Sequence, residues 1–388
     1  MSPSLPRTLS HQEILRYSRH LLIPEVGLRG QERLKRATML LVGTGGLGSP
    51  IAMYLAAAGV GRIGLVDHDK VERSNLQRQI IHSSTSVGER KVESARRRLL
   101  EINPHVTVDV YDEPFTADNA LQIAEPYDIL IDATDNFPTR YLLNDVAVLS
   151  KKPMVYGSIY QFEGQASVFW AEKGPCYRCI FPDSPPPELL PDCSERGVFG
   201  VLPGTLGTIQ ATEALKLVLG IGDPLIGKLL LYDALAMSVE TIRLRKNPHC
   251  RICSEHAELD SLSDYGAFCG SPGHQDPGLQ LPQEYLITPP ALAEKLAAKA
   301  PLHLIDVREP HELEISHIPG AEGIPLSELA AHPPSLDRDE PIVLLSRAGA
   351  RSARAVEILL GAGFTRVRHL AGGMNAWAAE IDPDLPIY

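Results

Sequence analysis

The chain has 388 residues, of which 44% are hydrophobic and 22% charged, and its formal net charge is −11. These values are typical of a globular protein with two or three domains, and they exclude a largely disordered or fibrous chain. The acidic balance argues against a broad nucleic-acid-binding surface. No stretch is long and apolar enough for a membrane helix, and the first residues lack the apolar core of a secretory signal. We therefore expect a cytoplasmic protein that neither binds nucleic acid nor enters a membrane.

The first two thirds of the chain alternate between short apolar runs and helical segments. Residues 10–36 are polar and helix-prone, and residues 38–42 form a continuous apolar run typical of a buried parallel strand. A glycine-rich segment follows, then a predicted helix at 51–58 and a strand at 62–67. Further strands are predicted at 128–132 and 154–156, and a helix at 207–219. This alternation predicts a doubly wound, Rossmann-like α/β sheet.

A change of composition separates the last third of the chain. Residues 261–284 are rich in Gly, Pro, Ser and Gln and show no periodicity, which indicates a linker. Strands are then predicted at 302–307 and 341–345, and helices at 291–299 and 352–360. We therefore predict a larger domain over residues 1–260, a linker over 261–284 and a smaller α/β domain over 285–388.

Glycines separate the first predicted strand from the first predicted helix. Glycines at such a turn allow the backbone to approach a phosphate, and the helix that follows supplies N–H groups. About 20 residues later, at the end of the second strand, a carboxylate can accept a ribose hydroxyl. The pattern predicts a nucleotide site that includes Gly43, Gly45, Gly46, Gly48 and Asp67. A nicotinamide or flavin cofactor, and a purely structural turn, are the alternatives.

Two cations follow that carboxylate, Arg78 and Lys91. A redox dinucleotide does not require them, whereas a triphosphate under nucleophilic attack does, because charge builds up on its oxygens. Asp135 and Asn136 end another strand and suit Mg²⁺, which prefers oxygen ligands. The alternatives are a solvated basic face for the two cations and a simple helix cap for the Asp-Asn pair.

Four of the six cysteines form two C-x-x-C pairs, Cys176 with Cys179 and Cys250 with Cys253. Four thiolates complete a closed tetrahedral zinc shell, and such a shell leaves no open coordination position. The pairs therefore predict a structural Zn²⁺ site. Two redox pairs, or buried free thiols, are the alternatives.

The order of the motifs resembles a known family. GTGGLGS, DHDKVERSNLQRQ, GERKVESA, INPHV, DATDN, CYRCIFP and GTIQATEALK, within residues 15–254, closely resemble the ubiquitin-activating-like adenylyltransferases of the MoeB/ThiF type. The resemblance implies a site for ATP and Mg²⁺, with Asp135 on the metal. Besides the glycines, it assigns to that site Asp67, Asp69, Ser74, Asn75, Gln77, Arg78, Lys91, Asp135 and Asn136.

Two further residues gain a role from this resemblance. Arg19 matches the arginine that reaches the nucleotide of the other subunit, which implies a homodimer. Cys193 matches the cysteine that takes up an activated acyl group or a sulfur, and neighbouring Arg196 could favour its thiolate. From the residues alone, an inert surface cysteine is the alternative.

Residues 285–388 resemble a rhodanese domain in the motifs LIDVRE, SHIPGA and LAGGMNAW. The active loop would be SRAGARS, residues 346–352, an anion-holding nest between a strand and a helix. In that family a cysteine opens the loop and carries a persulfide, whereas here Ser346 occupies its position, and a hydroxyl cannot be persulfidated. A deliberate Cys→Ser change and a natural loss, with sulfur supplied from elsewhere, both remain open. Retention of the rest of the loop favours the first.

The resemblances together imply an enzyme that uses ATP to adenylate the C-terminal glycine of a small ubiquitin-like sulfur carrier ending in Gly-Gly. Sulfur from a persulfide or thiosulfate donor would then displace AMP and leave a thiocarboxylate. Two other functions remain as alternatives, a nicotinamide oxidoreductase and a non-catalytic nucleotide-binding scaffold. The pathway stays open among molybdopterin, thiamine, cysteine, siderophore and tRNA thiolation.

Overall fold

The computed structural model describes residues 9–183, 197–255, 257, 262 and 281–388. The chain divides into two compact units, Met1–Cys269 and Gly270–Tyr388. Cys193 and most of the predicted linker lie outside the described residues. In the part of the chain that is described, no helix is long and apolar enough to cross a membrane.

The first unit is built on one sheet. Its strands are β1 (Thr38–Val42), β2 (Arg62–Val66), β3 (Thr107–Tyr111), β4 (Ile129–Asp132), β5 (Met154–Tyr160), β6 (Glu163–Phe169), β7 (Lys228–Asp233) and β8 (Ser238–Arg243). Its helices are α1 (His11–Arg16), α2 (Ser18–Leu21), α3 (Gly27–Arg36), α4 (Gly48–Ala58), α5 (Lys91–Ile102), α6 (Ala120–Ala124), α7 (Phe137–Leu149), α8 (Tyr177–Ile180) and α9 (Leu202–Leu219).

The strand order of this sheet is β3-β2-β1-β4-β5-β6-β7-β8. The first five strands in that order are parallel, which confirms the predicted Rossmann-like sheet, and the last three are antiparallel. The sequence did not indicate these antiparallel strands. In β8 every residue is exposed, so the strand lacks the alternation of apolar and polar residues that marks a half-buried strand.

The connections place a crevice beside β1. The chain runs from β1 outward to β2 and β3, then crosses back to β4 on the other side of β1. Such a reversal opens a crevice at the carboxyl ends of the strands, where ligands bind in this class of fold. Val42 pairs with Val66 and with Asp132, so the residues that follow these three strands lie side by side.

Both faces of the parallel strands are covered. Met39 and Leu41 of β1 belong to one buried cluster, and Leu40 and Val42 belong to the cluster on the opposite face. A strand buried on both faces reads as a continuous apolar run, because successive side chains point to opposite sides. This is why the sequence located β1 correctly.

The second unit is a smaller parallel sheet with the strand order β11-β10-β12-β13-β9. Its strands are β9 (Leu286–Ile287), β10 (His303–Asp306), β11 (Glu322–Gly323), β12 (Ile342–Leu345) and β13 (Val367–Leu370). Its helices are α10 (Pro289–Ala297), α11 (Pro310–Leu313), α12 (Leu326–Ala331), α13 (Ala350–Gly361) and α14 (Gly373–Glu380). Leu344 and Leu345 point into two buried clusters on opposite faces.

Candidate active site

The glycine loop, residues 43–48, joins β1 to α4 at the crevice. Gly43 has a φ of +96°, and a Cβ added to it would lie 2.5 Å from the carbonyl oxygen of Ala133. A Cβ on Gly48 would lie 2.2 Å from the carbonyl oxygen of Gly43. Both positions therefore require glycine, and the loop lies flat against the end of β4 with its backbone accessible to a ligand.

Thr44 is the side chain that fixes this loop. Its N–H and hydroxyl both donate to Asp67 Oδ2, at 2.8 and 2.9 Å. Its carbonyl oxygen lies 3.2 Å from Nε2 of His82. The other oxygen of Asp67 accepts from the N–H of Asp69 at 3.0 Å. Asp67 thus braces the loop from the end of β2, where the sequence also predicts a ribose contact.

Arg78 and the beginning of α9 lie against the middle of the glycine loop. A Cβ on Gly46 would be 3.2 Å from Cβ of Pro203 and 3.7 Å from Cγ of Arg78. The Arg78 guanidinium donates to the carbonyl oxygen of Ser74 at 3.2 Å. The loop therefore has a cation beside it and a second helix N-terminus opposite α4.

Lys91 is buried rather than part of a solvated basic face. It begins α5, its side chain is only 8% exposed, and its Nζ lies 2.8 Å from Asp69 Oδ2. A buried ammonium needs a partner, and Asp69 supplies it from the segment after β2. Asp69 therefore forms an ion pair with Lys91, a contact that the sequence analysis did not predict.

The segment 74–77 forms a turn at the rim of the crevice. Asn75 Oδ1 accepts from the N–H of Glu72 at 3.2 Å, and Ser74 Oγ donates to the Glu72 carboxylate at 3.3 Å. Gln77 is exposed and lies against Gly200, where a Cβ would meet its Oε1 at 2.3 Å. These side chains shape the rim, with Gln77 turned towards the residues before α9.

The end of β4 presents two aspartates of opposite character. Asp132 is fully buried and forms an ion pair with Arg140 at 2.8 Å, so its charge is neutralised inside the fold. Asp135 and Asn136 are exposed, and Asn136 caps α7 by accepting the N–H of Thr139 at 3.0 Å. The Asn136 side chain thus acts as a helix cap, which was the alternative to a role in binding Mg²⁺. Asp135 is the exposed carboxylate at this edge of the sheet.

Arg19 lies on α2, close to two anchored residues. Both are anchored by hydrogen bonds: Arg16 donates to the carbonyl oxygen of Ile102 at 2.8 Å, and the Tyr17 hydroxyl accepts from Asn103 at 2.8 Å. Arg19 itself is exposed and, within the described ranges, forms no hydrogen bond or ion pair.

The two cysteine pairs meet in space. Sγ of Cys176 lies 3.8 Å from Cys179 and 3.6 Å from Cys250, and Cys179 lies 3.4 Å from Cys253. All four sulfurs lie within 4.8 Å of one another, and none forms a disulfide. Sulfurs bound to one Zn²⁺ at about 2.3 Å are about 3.8 Å apart in a tetrahedron. The cluster therefore fits a closed four-sulfur metal site.

The four thiols share protons unevenly. Hydrogen bonding from Cys176 lowers the pKa of Cys179 to about 6, and a second contact from Cys176 lowers the pKa of Cys250, whereas the pKa values of Cys176 and Cys253 are raised. Arg178, between the first two ligands, forms a buried two-point ion pair with Asp145 of α7 at 2.8 and 2.9 Å. This pair fixes the first C-x-x-C turn on the α/β core.

The serine loop, residues 346–352, joins β12 to α13 in the second unit. Ser346 is fully buried, and its Oγ accepts the N–H groups of Gly349 at 3.1 Å and Ser352 at 3.2 Å. It donates to Ser352 Oγ at 3.0 Å, and that hydroxyl lies 3.3 Å from Nδ1 of His369. The loop is a nest of N–H groups, as predicted, but its occupant is the hydroxyl of its own first residue.

Sequence reasoning missed two buried residues beside the glycine loop, His82 and Gln79. A Cβ on Gly45 would lie 3.5 Å from Nε2 of Gln79, and His82 contacts Thr44. Both residues lie in a polar stretch without periodicity, where only their proximity to the SNLQR motif could have suggested a role.

The relation to known proteins agrees with this geometry. Residues 17–252 match the ThiF family. The chain belongs to the ThiF family. Residues 288–380 match the rhodanese-like domain, the part of the chain that carries the serine loop.

Curated relatives share both parts. The chain is 46% identical to the probable adenylyltransferase/sulfurtransferase MoeZ of Mycobacterium tuberculosis, over 100% of both chains. It is 44% identical to the adenylyltransferase and sulfurtransferase MOCS3 of Drosophila yakuba, over 98% of this chain and 86% of that one. This ThiF-family chain is therefore an enzyme with adenylyltransferase and sulfurtransferase domains.

Solved structures support the fold of the first unit. E. coli MccB with MccA-N7isoASN superposes with a TM-score of 0.54 at 22% identity, covering 62% of this chain and 75% of that one. E. coli MccB with ATP superposes with a TM-score of 0.54 at 21% identity, covering 65% and 77%.

Proposed function

We propose that this enzyme adenylates the C-terminal glycine of a small ubiquitin-like sulfur carrier and that the adenylate is then converted to a thiocarboxylate. The carrier carboxylate attacks the α-phosphorus of ATP, forming the acyl–phosphate bond and releasing pyrophosphate. A sulfur nucleophile then attacks the acyl carbon and releases AMP. The names of the relatives support adenylation followed by sulfur transfer, and the ThiF family together with the MccB structures that contain MccA supports a small protein substrate.

One observation carries this proposal: the Arg78 side chain packs against Gly46, in the middle of the glycine loop. A glycine loop alone suits any nucleotide, but attack at a phosphorus adds negative charge that a preplaced cation stabilises. Lys91, held by Asp69 on the same edge, supplies a second positive charge. Hydride transfer to a nicotinamide adds no such charge to a phosphate, so that chemistry does not require the pair.

Each remaining residue of the crevice has a place in this scheme. Asp67, at the end of β2, would accept the ribose hydroxyls while still holding Thr44. Asp135 would hold Mg²⁺, because it is the exposed carboxylate at the edge, whereas Arg140 already neutralises Asp132. Ser74, Asn75, Gln77 and Asn136 would line the nucleotide as parts of the rim.

We further propose that the enzyme works as a homodimer with Arg19 acting across the interface. Arg16 and Tyr17 anchor the turn, so that Arg19 projects from the unit. A guanidinium presented in this way suits the phosphates of a neighbouring subunit.

The four-cysteine cluster would hold a structural Zn²⁺ that fastens the C-x-x-C turns together. Reduced thiols of this kind fit a cytoplasmic location. Cys193, outside the described residues, would receive the acyl group or the sulfur. The sulfur, from a persulfide or thiosulfate donor, would reach the acyl carbon without passing through residue 346 of this chain, because a serine hydroxyl cannot carry it.

Carrier-dependent exchange of radioactive pyrophosphate into ATP tests the proposal. Small proteins ending in Gly-Gly that co-purify with the full chain would serve as substrates, and a carrier lacking the last glycine would serve as the control. We expect exchange with the intact carrier and no exchange with the shortened one. If the protein binds ATP but catalyses no exchange with any Gly-Gly carrier of the source organism, it is a non-catalytic scaffold instead.

A further inference from the structure

His82 joins two parts of the nucleotide crevice. Its imidazole is buried, with Nε2 3.2 Å from the carbonyl oxygen of Thr44 and Nδ1 3.0 Å from Oγ of Ser94. Thr44 belongs to the glycine loop, and Ser94 lies in the first turn of α5, the helix that begins with Lys91. One ring thus links the loop to the helix that carries the second cation.

The contact with Thr44 fixes the direction of one peptide group. In a trans peptide the C=O and the following N–H point in opposite directions. Because the Thr44 carbonyl points inward to His82, the N–H of Gly45 points outward, to the open side of the loop. The Thr44 N–H, which belongs to the preceding peptide, and the Thr44 hydroxyl are held by Asp67, so Thr44 is braced on both sides of its Cα.

The hydrogen bonds also define the tautomer of the ring. A carbonyl oxygen only accepts, so Nε2 carries the proton, and Nδ1 accepts the hydroxyl proton of Ser94. Burial, and then the nearby Lys91 ammonium, lower the pKa of His82 against the opposing effect of the Thr44 carbonyl. The ring is therefore neutral at physiological pH, which this arrangement requires.

We propose that His82 is a positioning residue for adenylation: it turns the Thr44–Gly45 peptide so that the Gly45 N–H faces the nucleotide phosphates, and it ties this loop to α5. The proposal rests on the adenylation function proposed above. It assigns His82 no contact with substrate, because the ring acts from beneath the loop.

Binding of the non-hydrolysable analogue α,β-methylene-ATP to the full chain, measured by calorimetry, is the first test. His82→Leu removes the donor to Thr44, and we expect affinity to fall about tenfold. His82→Gln keeps an N–H of similar reach and should restore affinity to within about threefold of the parent. A merely structural role would lower the melting temperature and the active fraction of both variants, with unchanged affinity in the folded fraction.

Ser94→Ala covers the case in which His82→Leu does not fold. It removes only the hydroxyl behind the ring, and we expect a smaller loss of affinity, about threefold. Ser167→Ala is the matched control, since Ser167 of β6 is also buried and donates to the Lys228 carbonyl of β7 at 2.6 Å. Equal affinities for the Ser94 and Ser167 variants would overturn the proposal.

The tautomer supplies a readout independent of catalysis. Long-range ¹H–¹⁵N spectra of ¹⁵N-histidine-labelled protein at pH 8, assigned by the spectrum of the His82 variant, should show a neutral ring protonated at Nε2. A ring protonated at Nδ1 would contradict the geometry. If the parent binds the analogue but never exchanges pyrophosphate, the proposed function fails while these measurements still decide the role of His82.

Discussion

The glycine loop and the serine loop are the same element put to opposite uses. Each follows a buried parallel strand and opens a helix, α4 in the first unit and α13 in the second. In the glycine loop, four of the six residues are glycine, and Thr44 is held from behind by Asp67 and His82. In the serine loop, the backbone closes around the fully buried Oγ of Ser346.

This difference separates two ways of using a nest of N–H groups. An open nest braced from behind can receive an anion from solution. A nest that is filled by a side chain of its own loop instead stabilises negative charge on the side-chain atom that it surrounds. The identity of residue 346 therefore decides what chemistry the serine loop can perform.

The largest effect we expect is a gain of function from Ser346→Cys. Two N–H donors and the helix N-terminus would stabilise a thiolate at this position, whereas a serine hydroxyl is far too basic to ionise. The thiolate would take the outer sulfur of thiosulfate, releasing sulfite, and pass it to cyanide as thiocyanate. We expect the parent to be silent in this assay, the variant to be active, and adenylation to be unchanged in both.

Ser346→Ala controls for the substitution itself and should remain silent. Activity in the parent protein, or silence in a correctly folded cysteine variant, would exclude residue 346 as the sulfur-carrying position.

In the first unit, Asp135→Ala should reduce carrier-dependent pyrophosphate exchange by on the order of 10²–10³. The loss follows if Asp135 holds the cation that neutralises the phosphates. Asp118→Ala is the matched control, since it also removes an exposed carboxylate of this unit. Exchange within a few-fold of the parent would remove Asp135 from the site.

The elements that could be predicted are those that depend on residues close together in the sequence. The buried run at 38–42, the glycines after it and the strand at 62–66 were all located, because strands covered on both faces and obligatory glycines leave direct marks. Helix α9 begins at Leu202 rather than at 207, because Pro203 occupies the first turn, where its missing N–H costs nothing.

The contacts that brace the site could not be predicted. Asp69 with Lys91, and His82 with Thr44, join residues far apart in the chain whose meeting depends on strand order and side-chain direction. Sequence showed which residue types were present near the motifs, but only the fold showed that Arg140 neutralises Asp132 and leaves Asp135 exposed.

Metal removal should distinguish the two units. Four sulfurs cluster in the first unit, and a chelator should lower the melting temperature of that unit by about 10 °C and leave the second unchanged. The two tryptophans, Trp170 and Trp377, lie in different units, so variants with a single tryptophan report each transition by fluorescence.

Elemental analysis of protein purified without added metal identifies the ion, and Cys250→Ser should reproduce the effect of the chelator. Cys269→Ser, which alters a cysteine outside the C-x-x-C pairs, is the control. A metal-free protein that melts like the parent would falsify the zinc site.

The smallest effect concerns the ion pair beside the serine loop. Arg351 forms a two-point pair with the buried carboxylate of Glu312, at 2.6 and 2.7 Å. Burial alone would raise the pKa of Glu312, but the bonds from Arg351 and from the N–H of Glu309 outweigh it and lower that pKa. A carboxyl with a lowered pKa in the folded state stabilises the fold above its unfolded pKa, about 4.3, and this contribution is lost as the pH falls through the folded value.

Glu312→Gln should therefore lower the free energy of unfolding of the second unit at pH 7 by about 1–2 kcal/mol. The deficit relative to the parent should shrink as the pH falls below about 4, because protonation then removes the same charge from the parent. Urea unfolding followed by Trp377 fluorescence, in a protein with Trp170→Phe, measures this unit alone. Glu314→Gln removes an exposed carboxylate two residues away and should show no such deficit. A difference between the Glu312 variant and the parent that stays constant from pH 7 to pH 3 would mean that Glu312 contributes through its hydrogen-bond geometry rather than through its charge.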